Sequence, residues 1–202
     1  MNNADYEALT RVLLGQVFIE LEASGRHVHV TKEQAKALFG HPLTPKRELS
    51  QPGQYLANER VTVIGPKGEF TNVAVLGPER KEAQVEVSLT DARALGIQAP
   101  IRLSGKVEGT PGATLVGPKG SIVLEHGVIA AQRHIHMTPE DAVRMGVADK
   151  QVVRLQTFTD RPVIFQETVV RVSPDFRTYV HLDYDEANAC GFKSGDLGRI
   201  LP

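Results

Sequence analysis

At roughly 150 residues per domain, a chain of 202 residues makes one large domain or two small ones. With 41% hydrophobic residues it holds enough apolar material for a core, which excludes wholesale disorder, and 23 basic against 24 acidic residues exclude a general nucleic-acid or membrane-surface binder. A single cysteine, Cys190, excludes an internal disulfide framework and fits a reducing compartment, and no apolar run approaches the about 18 residues of a transmembrane helix.

Within an N-terminal segment of residues 1–15, residues 4–14 read as a short amphipathic helix, with Tyr6, Leu9, Val12 and Leu13 on one face. It serves either as a packing helix or as a docking helix for a partner or shell. The start, MNNADYEALTRVLLGQVF, lacks the basic stretch and small-residue cleavage site of a secretory signal, which predicts a cytoplasmic protein. Strand patterns begin at residues 17–21. Residues 40–58, GHPLTPKRELSQPGQYLAN, carry three prolines and no clean period, and read as an excursion between strands. Residues 61–64 and 73–76 flank Gly65-Pro66-Lys67-Gly68, which predicts a hairpin. A second Gly-Pro-Lys-Gly turn at 117–120 lies between Leu115-Val116 and residues 122–124.

An internal repeat runs through this pattern. Four segments each give a short strand, a capping box and a short helix. The predicted caps are Thr31, Ser88, Thr138 and Asp183, followed three residues later by Gln34, Asp91, Asp141 and Glu186. Pro139 takes the first helical position of the third copy. Gly96, Gly146 and Gly191 end three of the helices, and the first copy departs, with Gly40 one residue later. Arg26-His27-Val28-His29 lies 107 residues before Arg133-His134-Ile135-His136, which points to a duplicated module. Short helical stretches and many strands predict a mainly β fold of two small β-barrels with short capping helices, rather than a parallel α/β sheet.

The repeats carry chemistry at one strand position: His29, Glu86, His136 and His181. Side chains two apart on a strand face the same way, so His27 joins His29 and His134 joins His136. Two sets of three donors result, His27/His29/Glu86 and His134/His136/His181. Three protein ligands leave a position for substrate or water, as a catalytic Zn²⁺ site requires, whereas structural zinc sites close with four. The sets suit two Zn²⁺ ions, with iron, cobalt, nickel and manganese as alternatives. Gln84 and Tyr179 stand where the first histidine of each pair would be. His41 and His126 lie near turns and are read as bystanders. Arg26 and Arg133 point to the opposite strand face, as ion-paired or interface residues. Ser104 reads as a turn serine, with contact to a substrate arm as the alternative, Asp183 and Glu186 as a cap, and Lys119 as solvated.

The strings SGRHVHVT, GPKGEFTNVAVLGPER, QVEVSLTDARALGI, RHIHMTPEDAVRMGV and HLDYDEANACGFKSGD resemble the PduL-type phosphate acyltransferases (phosphate propanoyltransferases) of bacterial microcompartments, over about residues 17–200. The resemblance implies two interleaved barrels, one from residues 16–25 and 132–202 and one from 26–131. It implies the reaction acyl-CoA + phosphate ⇌ acyl phosphate + CoA on a short-chain acyl group, a homodimer, and a setting in the cytoplasm within a bacterial microcompartment, with the shell as the partner if the N-terminal helix is a docking helix. His27, His29 and Glu86 match the ligands of one metal, and His134, His136 and His181 those of the other. Arg80 matches the phosphate-binding arginine. Ala23, Ser24, Gly25, Lys67 and Asn188 match coenzyme A contacts, and Arg93 stands where a planar side chain stacks on adenine. Ala74 departs from the pattern by replacing a basic residue.

On this reading phosphate attacks the thioester directly, with His27/His29/Glu86 on the sulfur side and His134/His136/His181 on the phosphate side. The rival reading is a two-metal thioester or phosphoester hydrolase; a third is a module with structural metal or none. A nucleophilic Cys190 is disfavoured, because it closes a short helix away from the positive N-terminal dipole.

Overall fold

The computed structural model describes residues 17–201, so the predicted N-terminal helix lies outside the described residues. In chain order the first half forms β1 (Ile19–Ser24), β2 (His27–His29), α1 (Lys32–Phe39), β3 (Pro45–Glu48), β4 (Tyr55–Ile64) and β5 (Glu69–Gly77). There follow β6 (Gln84–Val87), α2 (Leu89–Leu95), β7 (Ile101–Arg102), β8 (Ala113–Val116), β9 (Ser121–Leu124) and β10 (Val128–Ala131). The remainder forms β11 (His134–Met137), α3 (Pro139–Met145), β12 (Val152–Phe158), β13 (Ile164–Val172), β14 (Tyr179–Asp183), α4 (Tyr184–Cys190) and β15 (Leu197–Leu201). The described residues separate into two compact units, one of residues 17–23, 133–182 and 186–201, the other of residues 24–132 and 183–185.

The first unit is a closed barrel in the order β1-β14-β11-β13-β12-β15. Closure pairs β1 with β15, so no strand edge stays open. Ile19, Leu21, Ile135, Met137, Leu155, Val170, Val180 and Leu182 fill its core. The second unit is a nine-stranded sheet running β7-β10-β6-β2-β5-β4-β8-β9, with β3 added to β4. Its core holds Val28, Val30, Leu38, Val75, Val85, Leu95 and Leu115.

In both units one alternation does two jobs. Val28 and Val85, or Ile135 and Val180, point into the core at 0% exposure, and the histidines and Glu86 flanking them point the other way. Each such apolar side chain contributes about 1.5–3 kcal/mol when buried. A one-residue slip would turn them out of the core and the polar set into it, so the core fixes the face on which the donors stand.

The capping boxes form at Thr31/Gln34 and Ser88/Asp91. Thr138 accepts from the Asp141 N–H, yet the Asp141 carboxylate turns instead to Arg144 and the Thr178 hydroxyl. Asp183 belongs to β14, and Glu186 pairs with Arg133 rather than closing a box. A guanidinium wins in both cases, Arg144 from the same helix and Arg133 from outside it, because a charged donor offers more than a backbone N–H. The excursion at 40–58 also contains more structure than its prolines suggest. Its residues 45–48 form β3 along β4, and β4 already begins at Tyr55.

Both Gly-Pro-Lys-Gly turns form, and each closes over a helix end. The Lys67 N–H donates to Leu95 O at 3.0 Å, and the Lys119 N–H to Leu38 O at 3.0 Å, satisfying carbonyls that α2 and α1 leave unpaired. This approach needs glycine at 65, where a Cβ would lie 2.3 Å from Leu95 O. Gly65→Ala is therefore expected to cost about 2 kcal/mol, read as a lower denaturation midpoint of the purified protein; an unchanged midpoint would refute the close-packing argument.

Candidate functional site

Antiparallel pairing of β2 with β6 sets His27 opposite Glu86 and His29 opposite Gln84. His27, His29 and Glu86 are all buried, at 6%, 2% and 8% exposure, so their polar atoms need partners. His27 Nδ1–H donates to Gly25 O at 2.8 Å, and His29 Nδ1–H donates to Leu76 O at 3.2 Å. A carbonyl only accepts, which assigns the proton to Nδ1 in each ring. Both Nε2 atoms are thereby left to face Glu86 Oε1, at 3.6 and 4.0 Å. Backbone carbonyls that orient imidazoles in this way are the usual outer partners of metal-ligating histidines.

The electrostatics are those of a cation cradle. Burial alone would push the Glu86 carboxyl up, but the His27 charge and hydrogen bond, with His29 behind, hold it well below the usual carboxylate range. Burial would lower His27, and the facing Glu86 charge overrides it and raises that ring. Burial, the His27 charge and the Arg80 charge together lower His29.

Arg80 stands beside this set. Its N–H donates to Val30 O at 2.9 Å, and its guanidinium donates from Nη1 to Ser104 Oγ at 3.1 Å. Gln84 Nε2 donates to Ser104 Oγ at 2.9 Å and also to Glu86 Oε1.

The second set repeats the arrangement. His134 lies directly opposite His181 in the antiparallel β11–β14 pair. His136 Nδ1 and His181 Nε2 are 3.1 Å apart, near the about 3.3 Å edge of a tetrahedron with zinc–nitrogen bonds of about 2.05 Å. Glu22 Oε2 sits 3.4 Å from His181 Nδ1, the carboxylate-behind-imidazole arrangement that fixes a ligand's tautomer. Phe176 packs on His136 with ring centroids 4.1 Å apart. Within each of the two sets, the donor atoms lie within 4.8 Å of one another.

The remaining candidates fall as follows. Ala23 and Ser24 end β1 and Gly25 follows in the link to β2; Ser24 Oγ is 3.5 Å from His27 Nδ1, and a Cβ on Gly25 would meet the Tyr184 ring at 2.7 Å. Lys67 and Arg93 come together at the C-terminal end of α2, where the Lys67 stem covers Gly96 and Arg93 is exposed in the last turn. Asn188 is exposed on α4. Arg26 forms a two-pronged pair with Asp91, at 3.0 and 2.7 Å, over the Phe70 ring. His41 donates to Pro42 O, and His126 pairs with Glu82 at the surface, both outside the two sets. Cys190 is fully buried with its thiol pushed up by that burial, the opposite of an activated nucleophile.

Sequence reasoning named Gln84 and Ser104 without their roles, the one holding Glu86 by its amide and the other linking Arg80 to that amide, and missed Glu22, behind His181. For Gln84 a signal existed, since it alternates with Glu86 on the face of β6 that carries the donor. For Glu22 none did.

The family model described as phosphate propanoyltransferase matches residues 20–193. A phosphate propanoyltransferase of Enterococcus faecalis is 54% identical over 204 residues, covering 100% of this chain and 97% of that protein. One of Listeria monocytogenes is 54% identical over 197 residues, covering 96% and 92%, and one of Thermotoga maritima is 53% identical over 181 residues, covering 88% and 86%. With a matching model over most of its length and relatives this similar end to end, the chain belongs to the phosphate propanoyltransferase family, a family of acyltransferases.

Proposed function

We propose that the chain catalyses acyl-CoA + phosphate ⇌ acyl phosphate + CoA on propanoyl or acetyl groups, with two bound Zn²⁺ ions. The observation that supports this most is the pair of three-donor sets, buried but for a partly exposed His181, one with Arg80 beside it. His₂Glu and His₃ are donor sets of catalytic zinc, open at the fourth position. Ions held there supply Lewis acidity for the thioester carbonyl and for the charge that collects on sulfur.

The chain's own residues account for the rest. Arg80 presents a planar fork that grips two phosphate oxygens and holds a third toward the acyl carbon. The oxygen–carbon bond forms, the carbon–sulfur bond breaks, and its electron pair leaves as coenzyme A thiolate. No acyl-enzyme is required, in keeping with the buried, high-pKa Cys190. The tie from Arg80 through Ser104 toward Glu86 favours phosphate capture beside His27/His29/Glu86, the reverse of the assignment drawn from sequence. Ser24 and Gly25, Lys67 and Arg93 are the coenzyme contacts of this reading, with Ala23 and Asn188 as further ones. A homodimer, and packaging of the enzyme in a microcompartment through residues 1–15, complete the proposal.

The test is release of free thiol from propanoyl-CoA and acetyl-CoA. Release is expected to require phosphate and to fall at least about tenfold after chelation, with recovery on adding Zn²⁺. Thiol release without phosphate, with free acid as product, would establish the hydrolase instead.

A further inference from the structure

Ser104 has an unusual set of neighbours for a serine in a turn. It occupies the turn closed by the Lys106 N–H on Leu103 O, next to Gly105 at φ +87°. Its oxygen accepts from Arg80 Nη1 at 3.1 Å and from Gln84 Nε2 at 2.9 Å. Through Gln84, which also donates to Glu86 Oε1, the hydroxyl is linked to the Glu86 carboxylate. A hydroxyl has two acceptor sites, and both are taken here, by two different side chains. Gln84 is equally committed. Its amide donates to Glu86 and Ser104 and accepts from the Gly105 N–H at 2.7 Å, all at 2% exposure. Gln84 stands on β6 two residues before Glu86, so the sheet anchors it.

The chain of contacts runs from a rigid strand to a turn and from the turn to a guanidinium. Arg80 has three rotatable bonds beyond its χ1, and freezing them carries an entropy cost that binding would otherwise bear. We propose that Gln84 and Ser104 are positioning residues for phosphate capture: Gln84 holds the 103–106 turn, and Ser104 holds the Arg80 fork in register with the Glu86 carboxylate. The proposal rests on Arg80 as the phosphate ligand. It makes phosphate affinity depend on a serine that touches neither substrate.

The experiment measures KM for phosphate and for propanoyl-CoA separately, together with bound metal, in Ser104→Ala, Ser104→Thr, Arg80→Ala and the double variant Arg80→Ala/Ser104→Ala. Ser104→Ala is expected to raise the phosphate KM about tenfold while the propanoyl-CoA KM stays within about twofold and metal content is unchanged. Ser104→Thr, which keeps the hydroxyl, is expected to recover most of the loss. On the Arg80→Ala background, removing the serine hydroxyl is expected to change the phosphate KM less than about twofold, because the group it positions is gone. Gln84→Met is expected to raise the phosphate KM and also to lose metal faster on dialysis against a weak chelator.

A normal phosphate KM in Ser104→Ala, alongside a raised one in Arg80→Ala, overturns the positioning role and leaves the Arg80 reading standing. A normal phosphate KM in Arg80→Ala overturns that reading, and this proposal with it. Additive losses in the double variant, or equal rises in both KM values with loss of metal, show that Ser104 acts through general structure and overturn the proposal.

Discussion

Glu86→Gln is expected to leave about one metal ion per chain and to lower turnover at least about 10³-fold, with the fold intact. The substitution keeps volume and shape, so the core formed by Val85 and Val87 on the other face of β6 is untouched. It removes the one anionic donor of the first set. What remains is two imidazoles and a neutral amide, beside the positive charge of Arg80. A divalent ion there would meet net positive surroundings without a compensating ligand. Elemental analysis of the purified variant, with an unfolding midpoint as the control for folding, checks this. Two ions per chain and full turnover would remove the first set from the chemistry.

Arg80→Ala is expected to have the second largest effect: a phosphate KM raised at least about tenfold and a kcat lowered about 10²–10³-fold, with the propanoyl-CoA KM little changed. Loss of a charged fork on the nucleophile weakens its binding and loosens its approach to the carbonyl, so both constants move. The backbone contribution of residue 80, its N–H on Val30 O, survives the truncation, which keeps the loop in place. Unchanged dependence of rate on phosphate concentration would refute the assignment.

The donors were readable because they obey a local rule. His27 and His29, or His134 and His136, share a face by alternation, and the repeat supplied Glu86 and His181 without any knowledge of pairing. What the repeat concealed is that position 84 changes role. In the first and third copies a histidine stands there; in the second, Gln84 uses its amide to hold its neighbour, and its partners Ser104 and Gly105 come from a turn 20 residues further on. Glu22 was invisible for a related reason. It meets His181 only because barrel closure brings β1 beside β14, a contact between residues 159 positions apart that no local pattern encodes. The capping boxes show the same limit in reverse, since Asp141 and Glu186 fit the local motif and were drawn to Thr178 and Arg133 instead.

The two Gly-Pro-Lys-Gly turns have one more implication. At both 67 and 119 the lysine main chain grips a neighbouring helix, and its aliphatic stem lies over the glycine that ends that helix. The ammonium at the tip takes no part in that backbone grip, a fitting on a fixed bracket. The charge carried at either bracket can therefore change while the backbone scaffold stays as it is.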